Sequence, residues 1–509
     1  MPRPAAVIAY TSQNYDVSGG VAGRRAASAG FLNAYIRHAG LDTFTCFSHE
    51  RADVEAFSEL VTRNRGKRRS VVGIGPEELP RVSEIGTLYT PGPDLSRFAW
   101  LRRSGDQRGY SLVGVTHTLS EAAAMEAIGA LLTAPAQAWD AVVCTTAVAK
   151  AAVTRLLDEY GEYLGMLAGT KLRSRVQLPV IPLGVDCDAF TAEANERADF
   201  RARHGIPLED VVLLYVGRLD YAEKANPIAL YLAAEQAAAR SRRRIHLLEV
   251  GWFRAEMFAE AFAQAASVLA PSVNRIVLDS REPAHRRAWF AADIFVSLSD
   301  NIQETFGLTP VEAMAAGLPA VVSDWDGYRE TVRDGVDGFR IPTLAPAAGA
   351  GEALAFDYAA GNANHSIFCA AASQSTAVDV VACTDALVRL IDDADLRRRM
   401  GEAGRRRARE TFDWRVVIAA YQQLWLELAE RRRTAPETAP VGAGRAARPL
   451  AMDPFTLFGE WPSGLLGADT MLTVSAGSDA ALAGAMRRLW LAVPVAGMIL
   501  DEAATATMM

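Results

Sequence analysis

The sequence predicts an α/β protein built from two doubly wound, Rossmann-like domains that face a common cleft. The chain has 509 residues, which is more than one hydrophobic core normally accommodates. Short apolar runs alternate with helical patterns in two series, as they do in parallel β/α units. A break near residues 187–210 separates the two series. We therefore expect one domain on each side of this break, with ligands bound at the carboxyl ends of the strands.

In the first series, each apolar run is followed by small or polar residues and then by a helical pattern. A glycine-bearing loop follows the first run and leads into a helix that ends at about His38. The predicted strands are residues 6–10, 112–115 and 141–144, with a last strand and exit loop over residues 180–186.

The second series is longer and ends in helices. Its predicted strands are residues 211–216, 245–250, 275–278, 294–298 and 320–323, and its predicted helices are residues 227–240, 379–390, 395–410 and 414–433. Residues 343–378 are rich in Ala and Gly with weak periodicity, which indicates an insertion or a lid-like loop. A Pro/Ala/Gly/Arg linker over 434–450 precedes an extension over 451–509, whose aromatic residues indicate packing.

Composition excludes several classes of protein. The formal net charge is -7, so a globally basic, nucleic-acid-binding protein is not expected. Five cysteines without a C-x-x-C pair argue against a disulfide framework and a structural zinc site. The first apolar run is too short for a signal peptide, and the longest one, residues 489–500, is too short to span a membrane. We expect a cytoplasmic protein.

The most informative segment covers residues 299–323. Within it, Thr309 is expected to be the N-cap of a short helix, with Pro310 at its first position and Glu312 completing a capping box. Gly317 is expected to end this helix. Glu312 can therefore be explained as a helix cap.

Capping does not explain the residues that precede this helix. Glu304 stands in a loop where local structure demands no carboxylate, and Gly307 allows a ligand to approach the backbone closely. The free amides of a helix N-terminus favour an anion. These features predict a site for an anionic ligand.

The arrangement Glu304-x7-Glu312, with Phe306, Gly307 and Leu308 inside it, resembles the E-x7-E signature of glycosyltransferase family 4. These are retaining GT-B enzymes related to glycogen synthase and sucrose synthase. A second segment, residues 215–226, resembles the G-R-L…K motif of the same family, and it contains Arg218 and Lys224. The resemblance covers roughly residues 5–430 and is strongest over 211–340.

This resemblance implies the GT-B fold. Residues 1–186 would form the acceptor-side domain, 187–412 the nucleotide-sugar domain, and 413–433 a helix that crosses back to the first domain. The implied catalytic residues are Glu304, Arg218, Lys224 and His117, and the implied donor-binding residues are Gly19, Gly20, Phe306, Gly307, Leu308, Thr309 and Glu312.

In these roles, Arg218 and Lys224 hold the donor diphosphate, Glu304 orients or stabilises the sugar ring, and Glu312 binds the ribose. The glycine loop at Gly19 and Gly20 would face the donor phosphates, and His117 would contact the sugar.

The implied reaction moves a sugar from a UDP-, GDP- or ADP-sugar to a hydroxyl of a glycan or lipid-linked acceptor. No cofactor or metal is expected, because the D-x-D pairs at residues 186–188, 324–326 and 393–395 arise readily by chance and are assigned structural or loop roles. Peripheral association with a membrane is compatible with such an acceptor.

Three alternatives belong to other classes. A nicotinamide-dependent dehydrogenase would need G-x-G-x-x-G after a strand, and the Gly73-Ile-Gly75 segment lacks the third glycine. A nucleotide-sugar epimerase or a non-catalytic nucleotide-sugar-binding protein could share the fold. Neither would need Arg218, Lys224 and Glu304 together.

Overall fold

The computed structural model describes residues 3–15, 23–66, 70–467 and 469–471. The chain divides into two compact units, Met1–Ala447 and Arg448–Met509. The first unit contains two six-stranded parallel sheets, flanked by helices. The predicted fold class, two Rossmann-like α/β domains, is confirmed.

The first sheet has the strand order β3-β2-β1-β4-β5-β6. Its strands are β1 (Val7–Ala9), β2 (Thr43–Phe47), β3 (Ser70–Ile74), β4 (Thr87–Tyr89), β5 (Ser111–Val115) and β6 (Ala141–Val143). The accompanying helices are α1 (Ser12–Tyr15), α2 (Gly23–His38), α3 (Arg51–Arg65), α4 (Ser96–Arg103), α5 (Ala122–Gly129) and α6 (Ala147–Ala168), with 3₁₀ turns at Pro76–Glu84 and Ala130–Leu132.

The second sheet repeats this order as β12-β11-β10-β7-β8-β9. Its strands are β7 (Val211–Val216), β8 (Ile245–Gly251), β9 (Asn274–Asp279), β10 (Ile294–Ser297), β11 (Ala320–Ser323) and β12 (Gly338–Ile341). The helices up to the insertion are α7 (Glu196–Arg203), α8 (Ile228–Ser241), α9 (Glu256–Leu269), α10 (Ala288–Ala291), α11 (Leu308–Ala316) and α12 (Tyr328–Thr331), with 3₁₀ turns at Cys187–Phe190 and Pro283–Arg287. In both sheets the strand order reverses between the first and fourth strands, which is where doubly wound sheets bind ligands.

Residues 343–378 contain more regular structure than the predicted lid-like loop. The short strands β13 (Thr343–Leu344) and β14 (Ala377–Val378) pair in antiparallel fashion at the base of the insertion. Between them lie helices α13 (Glu352–Ala359) and α14 (His365–Gln374). Asn364 begins α14 as its N-cap, since its side chain accepts a hydrogen bond from the amide of Ile367.

The chain then returns to the first sheet through three helices. These are α15 (Val380–Asp392), α16 (Ala394–Arg407), which continues into a π-helical turn (Ala408–Phe412), and α17 (Trp414–Thr434). Helix α17 packs against the first sheet and α2, because Trp414, Tyr421 and Trp425 belong to the same hydrophobic cluster as Phe31 and Tyr35.

The segment that leaves the first domain and the segment that returns to it lie side by side. The amide of Val185 donates to the carbonyl of Phe412 (2.8 Å), and the amide of Trp414 donates to the carbonyl of Val185 (3.1 Å). Residues 180–186 form only isolated bridges, so the last strand predicted there was wrong. These residues instead align the outgoing chain with the returning chain.

Six of the strands, β2, β3, β4, β12, β13 and β14, were not among the predicted ones. The second unit is described in part. It contains the short helix α18 (Pro454–Leu457), after which the rings of Phe458 and Trp461 lie 4.5 Å apart. The packing expected of the aromatic residues of this extension stays a prediction, because residues 472–509 lie outside the described residues. Within the described residues, no helix is long and apolar enough to cross a membrane.

Candidate active site

The loops after β7 and β10 meet at the point where the second sheet reverses its strand order. Lys224, from the first loop, places its Nζ 3.3 Å from Oε2 of Glu304, from the second loop. The other carboxylate oxygen of Glu304 accepts a hydrogen bond from the amide of Gly307 (3.1 Å). Two residues that lie 80 positions apart in the chain therefore form one ion pair at the predicted ligand edge of the sheet.

The environment of Glu304 favours its ionised form. Burial alone would raise the pKa of this carboxyl, but Lys224 and the backbone amides of Thr305 and Gly307 hold the pKa below its usual value. A fixed negative charge therefore stands beside a lysine.

Arg218 lies in the same loop as Lys224 and is already paired. Its Nη2 is 2.8 Å from Glu223, and Arg254 binds the other oxygen of that carboxylate at 2.7 Å. Although burial opposes ionisation of Glu223, its hydrogen bonds with Ser366 and Arg254 and the charge of Arg218 lower its pKa to about 2. The sequence did not single out Glu223, Arg254 or Ser366.

The segment 306–309 departs from the predicted helix start. Helix α11 begins at Leu308, and its N-cap is Gly307 in the left-handed conformation (φ 81°). Thr309 is thus the second helical residue, and the capping box predicted with Glu312 does not form. A Cβ on Gly307 would lie 2.0 Å from the ring of Tyr328, so glycine is required here for packing as well as for φ.

The side chains of Phe306 and Glu312 lie in different surroundings, and neither caps helix α11. The side chain of Phe306 is buried in the core of the second domain, where it packs against Phe412. Among the described residues, none hydrogen bonds with the half-buried carboxyl group of Glu312, and burial raises its pKa to about 7. Capping therefore does not explain Glu312.

The first domain contributes His117, which follows β5. The hydroxyl of Thr305 donates to the carbonyl of His117, so this histidine lies next to the Glu304 loop. Burial and the charge of Arg24 lower the pKa of His117 to about 4, against the hydrogen bond with the carbonyl of Pro91. Its Nε2 is buried and has no hydrogen-bond partner among the residues that the structure describes. His117 is therefore a neutral imidazole with one unused nitrogen.

The N-terminal end of α2 also faces this site. A Cβ on Gly23 would lie 4.0 Å from Nζ of Lys224. The predicted glycine loop directly precedes this helix, but Gly19 and Gly20 lie outside the described residues.

Further polar contacts join the two domains around the cleft. Glu330 accepts hydrogen bonds from the amides of Ala147 (2.9 Å) and Val148 (3.0 Å) at the N-terminus of α6, which suits a negative charge. Thr146 donates to the carbonyl of Thr305 (3.0 Å). The cleft is therefore closed by hydrogen bonds that involve the Glu304 loop itself.

The insertion adds contacts across the same cleft. His365 on α14 lies 3.0 Å from the hydroxyl of Ser120, and the amide of Ala122 donates to the hydroxyl of Tyr358 at 3.0 Å. Ser366, the next residue of α14, donates to Glu223. The insertion thus contacts both the first domain and the cluster that contains Arg218.

A cavity of about 450 Å³ lies in the first domain at the carboxyl ends of its strands. It is lined by His117 and, among others, the charged or titratable side chains of Arg24, His49, Asp94, Arg97 and Glu121. In the described part of the chain, no group of three His, Cys, Asp or Glu side chains could hold a metal ion.

Two Rossmann-like domains with a lysine–glutamate pair at the strand-order reversal form the kind of α/β protein that binds a ligand at the carboxyl ends of its strands. Residues 196–352 match the family described as "Glycosyl transferases group 1". The chain is a glycosyltransferase with the GT-B fold, and it is similar to enzymes of glycosyltransferase family 4, as the resemblance implied.

Similar curated proteins support this assignment. The D-inositol 3-phosphate glycosyltransferase of Geodermatophilus obscurus is 27% identical over 383 residues, which cover 68% of this chain and 80% of that protein. The phosphatidyl-myo-inositol mannosyltransferase of Mycobacterium tuberculosis is 26% identical over 273 residues, which cover 52% of this chain and 60% of that protein. The match therefore covers less than two thirds of the length of the mannosyltransferase.

Solved structures share the fold. HepE of Anabaena in complex with UDP aligns with a TM-score of 0.52 at 14% identity, over 83% of this chain and 99% of that one. A glycosyltransferase from Rickettsia africae aligns with a TM-score of 0.54 at 16% identity, over 86% of this chain and 100% of that one.

Proposed function

We propose that this enzyme transfers a sugar from a UDP-, GDP- or ADP-sugar to a hydroxyl acceptor, with retention of anomeric configuration and without a metal. The observation that carries the proposal is the Lys224–Glu304 pair, which lies at the strand-order reversal and beside His117. A cation can bind the donor diphosphate, and a fixed carboxylate and a neutral histidine can bind sugar hydroxyls.

The departing nucleoside diphosphate gains negative charge, which cations and amide dipoles stabilise. Lys224 provides a point charge, and the amides of Leu308 and Thr309 at the start of α11 provide dipoles. Nη2 of Arg218 donates a hydrogen bond to Glu223. A guanidinium has five N–H donors, so Arg218 can bind a phosphate while it remains paired with Glu223.

The donor sugar would lie between the domains. The unused Nε2 of His117 accepts a hydrogen bond from a sugar hydroxyl, because its lowered pKa keeps the imidazole neutral at physiological pH. Glu304 orients the ring, and Glu312 binds the ribose.

Retention would follow from displacement on one face of the sugar. The bond from the anomeric carbon to the diphosphate oxygen breaks, and a bond from the same carbon to the acceptor oxygen forms. The acceptor proton passes to the departing phosphate oxygen. No additional base is required.

The acceptor would occupy the cavity of about 450 Å³ that His117 borders. Arg24 and Arg97 in its lining suit an acceptor that carries a phosphate, and the named relatives include enzymes for inositol phosphate and phosphatidylinositol. A glycan or lipid-linked acceptor of this kind agrees with a cytoplasmic enzyme that associates peripherally with the membrane.

The experiment is a panel of donors. The full chain is incubated with UDP-glucose, UDP-N-acetylglucosamine, GDP-mannose and ADP-glucose, each with inositol 3-phosphate, phosphatidylinositol vesicles or an oligosaccharide. Nucleotide release together with an α-linked product from an α-linked donor supports the proposal. Inverted product, or loss of activity in excess chelator that manganese restores, would overturn the retaining or the metal-free part.

A further inference from the structure

Asp326 lies in the loop between β11 and α12, and two observations set it apart. Its φ of 33° is in the left-handed region, which residues other than glycine rarely adopt. Both oxygens of its carboxyl group are shielded from solvent and have no hydrogen-bond partner among the described residues. A buried polar group without a partner is costly, and such costs concentrate at ligand sites.

The loop that carries Asp326 is held firmly against the Glu304 loop. The indole N–H of Trp325 donates to the carbonyl of Asn301 (3.0 Å). A Cβ on Gly327 would lie only 2.5 Å from Cα of Phe306. Asp326 is therefore fixed between two residues that contact the segment containing the candidate active site.

Asp326 also lies within the electrostatic field of that site. Burial raises the pKa of its carboxyl well above the usual value, and the charges of Glu304 and Glu330 raise it further, while Lys224 opposes them. These are the charged groups that face it from the neighbouring loops.

If Asp326 had a structural role, its carboxyl oxygens would accept hydrogen bonds from neighbouring groups. Oδ1 of Asp220, in the Lys224 loop, accepts hydrogen bonds from the amides of Ala222 (3.0 Å) and Glu223 (3.1 Å) and so fixes its own turn, and its Oδ2 faces two arginines at 3.5 Å and 3.3 Å. In the Asp326 loop, the turn is closed by backbone groups instead, since the amides of Tyr328 and Arg329 donate to the carbonyls of Trp325 and Asp326. The Asp326 side chain does not hold the loop together.

We propose that Asp326 binds two neighbouring hydroxyls of the donor sugar and is a specificity-determining residue of this enzyme. The inference rests on the proposed function. A carboxylate accepts hydrogen bonds from both hydroxyls, and a carboxylic acid accepts one and donates one, so either protonation state fits a pair of hydroxyls. A donor that lacks one of them leaves a buried carboxyl oxygen unpaired, which is a strong basis for rejection.

The test separates the sugar from the nucleotide. In the full chain, Asp326→Asn is compared with Asp324→Asn, a control in the same loop whose carboxylate faces Arg329 (3.7 Å) and Arg340 (3.5 Å). Calorimetry gives Kd for the sugar nucleotide that the wild type uses, among UDP-glucose, GDP-mannose and ADP-glucose, and for its free diphosphate.

We expect Asp326→Asn to weaken sugar-nucleotide binding about 10- to 100-fold and to leave diphosphate binding unchanged within about twofold. Monodeoxy donors identify the two hydroxyls, because their removal costs affinity in the wild type and much less in the variant. Asp326→Gly is the second variant. Glycine adopts the positive φ without strain and removes the carboxyl group, so the same loss of affinity in this variant would not come from a folding defect.

Equal loss for sugar nucleotide and diphosphate, or no loss for either, would overturn the assignment of Asp326. A wild-type protein that binds the free diphosphates but none of the sugar nucleotides would also overturn it. If the wild type binds neither, the proposed function fails as well, so the two failures are distinguishable.

Discussion

The Nζ of Lys224 lies 3.3 Å from Oε2 of Glu304, and this contact joins the two sequence motifs of the second domain. In the proposed reaction, Lys224 would place a positive charge at the leaving group and Glu304 a negative charge at the sugar. Because each charge is partly buried, removing one leaves the other without compensation.

Lys224→Ala is expected to lower kcat about 100- to 1000-fold, because the leaving diphosphate loses a preorganised cation. The loss is measured as initial rates of nucleotide release at saturating donor. Lys150→Ala, on α6, is the matched control and retains the wild-type rate. Glu304→Gln keeps the shape of the side chain and is expected to lose activity as well. Full transfer by both active-site variants would show that this pair is not part of the active site.

Glu223→Gln is expected to lower the free energy of unfolding at pH 7 by about 2–4 kcal/mol, because Arg218 and Arg254 lose their shared carboxylate. The folded pKa of Glu223, about 2, lies below its unfolded value near 4.5. This contribution is therefore present above pH 4.5 and is lost as the pH falls through 2.

Denaturant unfolding of wild type and variant at pH 7 and pH 3 measures this change. Exposed Glu209 provides the control, since Glu209→Gln should have no effect at either pH. If the difference in the free energy of unfolding between wild type and Glu223→Gln were the same at both pH values, it would contradict the pairing of Glu223 with Arg218 and Arg254.

Glu312→Gln is expected to stabilise the free protein at pH 8 and to leave it unchanged at pH 4. The folded pKa of Glu312, about 7, exceeds its unfolded value of 4.5, so the folded form holds a proton that the unfolded form releases. The stabilisation from this shift is complete below pH 4.5 and is lost as the pH rises through 7.

Thermal unfolding between pH 4 and pH 8 provides the measurement for Glu312. The gain at pH 8 should be on the order of 1–2 kcal/mol, since partial exposure reduces the cost of the charge. Glu260→Gln, at an exposed position on α9, is the control. If the difference in stability between Glu312→Gln and the wild type were the same at every pH in this range, Glu312 would ionise freely in the folded protein.

Glu330→Ala is expected to favour an open cleft, because the N-terminal amides of α6 lose their acceptor from the other domain. Loss of a helix N-terminal acceptor costs about 1 kcal/mol. Small-angle scattering should show a larger radius of gyration for the variant, and KM for the donor should rise. Glu402→Ala, on the exposed face of α16, should match the wild type. Identical scattering curves for Glu330→Ala and wild type would contradict this role.

The parts of the site that are contiguous in sequence could be predicted. The segments around Lys224 and Glu304 carry recognisable spacing, and the carboxyl ends of β7 and β10 bring them together as parallel sheets require. Strands β2 and β3 were missed although Thr43–Phe47 and Ser70–Ile74 carry apolar and β-branched residues that could have indicated them.

Other features depend on contacts that no local pattern contains. Thr309 is a good N-cap by local chemistry, but the chain turns at Gly307, where the ring of Tyr328 leaves no space for a side chain. Glu223 and Ser366 are 143 positions apart, so sequence spacing gave no signal for that hydrogen bond. Asp326 was assigned a loop role with the other D-x-D pairs, because its missing partners become visible only in three dimensions.

The shared crossing at Val185 and Trp414 has a thermodynamic consequence. Within the described residues, each hydrophobic cluster takes its side chains from one sheet and the helices packed on it, so none spans the cleft. Opening about this crossing would separate hydrogen-bonded polar groups and expose little apolar surface. Since heat capacity follows exposed apolar area, the opening itself should be nearly free of a heat-capacity change. The enthalpy and the entropy of opening would then both vary little with temperature, so the free energy of opening would change linearly with temperature.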